Sequence, residues 1–171
     1  MPLIRGMIRN RPCARCTLFE RPIGLPLIHV LGERHMDAMP LVKLVEALAQ
    51  KSERYEKLKK RFSEFCVSSA LLAAQDYPVL GVGHIPDLPN NKLGVEFCGK
   101  KYEFVFAVDA TAKGVVTCKL LTGDEPIDVG LFTFVGTGDT DVRNENDDVL
   151  RMQNAGDAAH LVLHMIHLAA A

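Results

Sequence analysis

The hydrophobic period of this chain changes once, sharply, and that change dictates what it can build. From Met39 to about Ala74 apolar residues return every three or four positions: Leu41, Leu44, Leu48, Tyr55, Leu58, Phe62, Phe65 and Leu72. These are the a and d positions of a heptad, broken only by Lys51 and Ser69, so the spacing predicts one long helix. Pro40 suits its first turn, where the missing N–H costs nothing. Glu53 with Lys57 and Glu56 with Lys60 add i,i+4 pairs in the favourable order. Pro78 marks its far limit.

From Val79 onward the period is two. "KLGVEFCG", "KKYEFVFAVD", "GVVTCKLL" and "IDVGLFTFVG" alternate apolar and polar residues, with turn residues between them. "VLRMQ" is a candidate fifth strand. Tyr102, Phe104, Phe106 and Val108 share one face. "NAGD" supplies turn and N-cap chemistry for a last helix, about Asp157 to Ala169. The order predicts an α+β fold: a long N-terminal helix, an antiparallel meander of four or five strands, and a C-terminal helix packed on one sheet face.

Residues 1–38 read as a separate tail, leaving 39–171 as a single domain. Residues 1–35 hold six arginines, no lysine and four prolines, whereas 36–171 hold ten lysines and four arginines. Pro26 and the charged Glu33-Arg34-His35 argue against a cleaved secretion signal. The composition suggests a disordered or extraneous segment, with Met36 or Met39 as an alternative start. Cys13, Cys16, His29 and His35 have zinc-finger spacing, but Pro22, Gly24 and Pro26 fall where the finger's helix would form.

Charge and cysteine usage narrow the class. The net charge is −1, which argues against nucleic acid as a partner. No apolar run approaches the ~20 residues of a membrane span. Five scattered cysteines suit reduced thiols and a cytoplasmic setting, with Cys66, Cys98 and Cys118 at apolar-periodic positions expected in the core.

Three clusters invite a functional reading. In "HLVLHMIHL", Asp157, His160, His164 and His167 form one stripe of the last helix, and a buried stripe of Leu161, Met165 and Leu168 is expected beside it. Histidines at i,i+4 suit zinc, with Asp157 or a distant His84 as further ligands. The plainer expectation is a solvated face whose charge complements the helix C-terminus. The loop "GTGDTDVRNENDD" gathers Asp139, Asp141, Glu145, Asp147 and Asp148, but lacks the order of a calcium loop, and Gly136 and Gly138 open no helix. It is expected to be a solvated loop. Lys57, Lys59, Lys60 and Arg61 interleave with glutamates and read as a solvated face. No nucleophile stands at a recognisable spacing from a base.

The sequence therefore favours a small non-enzymatic interaction or adaptor module that self-associates as a homodimer, through its long helix or an open sheet edge. Leu41, Leu44 and Leu48 are the expected contact residues. The alternatives are a metal-binding protein or metal-dependent enzyme using the histidine stripe, and a small-ligand carrier with a pocket between the aromatic sheet face and the helices.

Overall fold

The long helix α1 spans Leu41–Ser68 and passes into a tight 3-10 turn at Ser69–Ala73. The computed structural model describes residues 39–74, 78–79, 81–123 and 125–170; the tail and its Cys13, Cys16, His29 and His35 lie outside them. After α1 come β1 (Gly83–Asp87), β2 (Lys92–Phe97), β3 (Lys100–Val108), β4 (Gly114–Thr122), β5 (Glu125–Phe134), β6 (Asp139–Arg143) and β7 (Val149–Arg151). The closing helix α2 spans Ala155–Leu168. The strands pair antiparallel in chain order, each with the next.

The architecture is α+β with an antiparallel sheet, as the period change implies, but with seven strands rather than four or five. The two extra strands carry little apolar periodicity. β1 is "GHIPD", an edge strand with Pro86, and β6 is "DTDVR", inside the acidic segment expected to be a loop. β1 lies at the sheet edge, and β6, between β5 and β7, fully buries only Thr140, so neither shows an apolar period.

Register explains the core. Phe104 stands opposite Leu93 on β2 and Cys118 on β4, and Phe106 stands opposite Val116. Val116 in turn faces Phe132. This face meets α1 through rings: Phe62 stacks on Phe106 with centroids 5.4 Å apart, and Phe65 sets its edge to Phe104 and Phe132. α2 covers the β5 end of the same face, where a Cβ at Gly130 would meet the Met165 sulfur at 3.5 Å. The Asn154 side chain caps α2 by accepting the Asp157 N–H, as "NAGD" suggested. Ala158, Ala159, Leu161, Val162, Met165 and Ile166 are buried along it.

Two expected core residues are not in the core. Leu168 is 46% exposed, because it lies in the last turn of α2, beyond most of the surface that the helix covers. Cys98 is exposed and has φ +50. With Gly99 at φ +74 it forms the two-residue β2–β3 hairpin turn, a geometry that needs positive φ twice. Cys66 and Cys118 are buried, and burial pushes both thiols up to about 12.

Candidate functional site

The heptad stripe of α1 has two fates. From Leu58, 1% exposed, through Phe62, Phe65 and Cys66 it is sealed against the sheet. Toward the N-terminus the same stripe is exposed among the described residues. Leu41 is 73% exposed and Leu48 56%, and Leu44 lies with them. Val42 and Val45, also exposed, widen the apolar surface on one side of the stripe. From Leu41 to Ala49 the helix extends about 12 Å at 1.5 Å per residue, and from Gln50 on it lies beside the β3–β4 and β5–β6 turns. Tyr55 marks the junction: its ring packs against Phe106 at 6.1 Å.

The helix begins without a cap. Pro40 occupies the N-cap position and offers no side-chain acceptor, and the first turn holds no acidic residue. The positive end of the helix dipole is thus unopposed within its own element.

Where α1 leaves the sheet, it makes a corner with the β3–β4 hairpin. The corner is a notch of about 290 Å³ bounded by Lys51, Arg54 and Tyr55 on the helix and by Val108, Asp109, Ala110 and Ala112 on the hairpin. Asp109 accepts the Thr111 and Lys113 backbone N–H groups at 2.8 and 2.9 Å. The Lys113 amide, then the Thr111 hydroxyl, hold its carboxyl below the usual carboxylate range, so it is charged at neutral pH.

His160, His164 and His167 are exposed and border a shallow groove on α2 with Gly156 and Leu163. Asp157 does not face them as a fourth ligand: its carboxylate accepts the Arg151 N–H at 3.0 Å and ties α2 to β7. His84 is engaged elsewhere, at 3.1 Å from the Ser69 hydroxyl. Among the described residues, no three His, Cys, Asp or Glu side chains converge tightly enough to hold a metal ion.

The acidic segment is ordered by its own bonds. Asp141 accepts the Thr133 N–H and hydroxyl, and Asp139 pairs with Arg151 at 3.1 Å. Asn144 accepts two backbone N–H groups of the β6–β7 turn, which carries Glu145, Asp147 and Asp148. What was expected as a solvated loop is a hairpin, because side-chain bonds replace apolar pairing. Gly136 and Gly138 make the β5–β6 turn. Arg61 donates to the Gly136 carbonyl at 3.1 Å and pairs with Glu64. That pulls one member of the basic cluster into the structure, while Lys57 lies along Gly136.

The layer where a ligand pocket was expected is filled by Phe62, Phe65, Phe104, Phe106, Phe132 and Phe134 in mutual contact. The sequence did not mark the notch. Its hairpin residues are distant in sequence from α1, and only the register of β3 on the helix brings them to Tyr55.

The described chain is thus an α+β unit with a run of exposed apolar residues at the start of its long helix. Comparison with family models, with curated proteins and with solved structures returned no match.

Proposed function

We propose that this chain is a non-enzymatic interaction module that forms a homodimer through the exposed N-terminal half of α1. One observation carries the reading: an apolar stripe continuous with the core leaves the sheet and stays apolar over two turns. Solvent alone gives no reason for Leu41, Val42, Leu44, Val45 and Leu48 on one projecting helix.

Magnitudes favour a moderate affinity. Burying the exposed part of each aliphatic side chain is worth on the order of 1 kcal/mol. Five from each of two copies give roughly 10 kcal/mol, against an association cost of at least ~4 kcal/mol. At most about 6 kcal/mol remains, which corresponds to a dissociation constant of tens of micromolar or weaker.

The helix serves better than the sheet edges. β5 is paired with β6 only at Phe134–Thr140, but its open stretch carries Pro126, Asp128 and an irregularity opposite Cys118–Lys119. β1 carries Pro86. Proline, charge and bulges are what keep an edge from accepting another strand.

The test is the double substitution Leu44→Glu with Leu48→Glu. Both side chains are exposed, so the fold should survive with unchanged far-ultraviolet dichroism. The dimer should be lost in size-exclusion chromatography with light scattering. An unchanged dimer would move the interface elsewhere.

A further inference from the structure

We propose that α2 carries a two-histidine chelate for a divalent transition-metal ion, centred on His164, with His160 as its main partner and His167 as a second, weaker one. The site is separate from α1 and does not depend on dimerisation there.

Three observations carry it. The first is spacing on a regular helix. α2 is unbroken from Ala155 to Leu168, so its backbone fixes where each ring is rooted. His160 and His164 are rooted about 6 Å apart along the axis and about 40° apart around it. Imidazoles at i,i+4 on one helix face can close on a single ion. His164 and His167 are about 4.5 Å and about 60° apart, a poorer pair. His160 and His167 are separated by about 10 Å along the axis, too far to share an ion. His164 therefore belongs to both usable pairs.

The second is a fixed platform with free rings. Ala158, Ala159, Leu161, Val162, Met165 and Ile166 seal the other side of α2 in the core. The Asn154 cap and the Asp157 bond to the Arg151 N–H hold its first turn. All three histidines are exposed along the groove of about 500 Å³ that they share with Gly156 and Leu163. Ligation asks only for rotation of exposed side chains between staggered positions, and no packed group has to move.

The third is charge and ligand type. No lysine or arginine lines the groove. The ion would lie over the last two turns of α2, toward the negative end of the helix dipole. Imidazole nitrogens suit zinc, nickel or copper(II), whereas magnesium and calcium take oxygen ligands. No third side chain converges on the pair among the described residues. Water completes the coordination, and the ion exchanges with solvent.

The experiment titrates zinc chloride into the full chain by calorimetry. Cys13, Cys16 and Cys98 are replaced by serine, and His29 and His35 by glutamine, so that neither the tail nor the exposed thiol competes. One zinc per chain is expected. His164→Gln should weaken binding at least tenfold, His160→Gln less, and His167→Gln least. Far-ultraviolet dichroism should be unchanged in each, since all three side chains are exposed. Electron paramagnetic resonance of the copper(II)-loaded chain should show two nitrogen ligands, and one in His164→Gln. No saturable heat in the parent would overturn the site. Affinity within twofold of the parent in His164→Gln, or one zinc shared by two chains, would overturn it too.

Discussion

At single residues the fold turns on where a buried polar group finds its partner. Ser69, fully buried, interrupts the apolar stripe of α1 and yet is not a defect. Its hydroxyl donates to the Cys66 carbonyl at 3.2 Å, so it is left to accept from His84 Nε2–H. Burial pushes the His84 imidazole below its ordinary pKa, opposed by carbonyl hydrogen bonds at Cys66 and at His84 itself. The folded state therefore binds a proton less readily than the unfolded one. Its contribution is complete above the ordinary histidine range near 6.5 and is lost as pH falls through that value toward the folded pKa. His84→Gln should lower stability by about 1 kcal/mol at pH 7.5. It should also flatten the loss of denaturation midpoint between pH 7.5 and 5; an unchanged pH slope would show that His84 does not carry it. Cys98 presents the opposite case, a side chain in backbone geometry that favours asparagine. Cys98→Asn should raise stability by about 0.5–1 kcal/mol, read as a shift in urea midpoint with unchanged slope.

Among the elements, the sheet depends on one missing side chain. Gly114 stands opposite Phe134 in the β4–β5 register, and the Phe134 ring lies where a Cβ would be. Gly114→Ala should destabilise by about 2–3 kcal/mol, because the ring must leave a packed core. A chemical denaturation curve within 0.5 kcal/mol of the parent, about the scatter of neutral surface changes, would contradict that packing. The elements also show what a sequence reveals and what it hides. α1, α2 and the four long strands announce themselves because each buries a face, and burial is what imposes a period on apolar residues. β1 buries no side chain fully, and β6 buries only the polar Thr140 and is tied by Asp141 and Asp139, so their residues look like loop. Cys98 misled because a thiol at an apolar-periodic position was expected to face inward, whereas the strand had already ended. Leu41, Leu44 and Leu48 were legible as a stripe, and so was their continuity with Leu58 and Phe62. The notch was not, because it exists only once the β3–β4 hairpin meets α1 at Tyr55.

For the whole molecule, one helix does two jobs. Its C-terminal half closes the core of an antiparallel sheet, and its N-terminal half carries the same apolar frame into solvent. The ring-filled layer, the acidic hairpin and Asp157 are engaged within the fold, whereas Leu41, Leu44 and Leu48 on that half are exposed. No helix among the described residues is long and apolar enough to cross a membrane. Sedimentation of the unmodified full chain across a concentration series spanning the micromolar range answers the question directly. The account predicts a reversible monomer–dimer equilibrium whose dimer disappears when Leu44 and Leu48 are both glutamate. A single monomeric species up to the highest concentration, with the glutamate variant indistinguishable from it, would contradict the account.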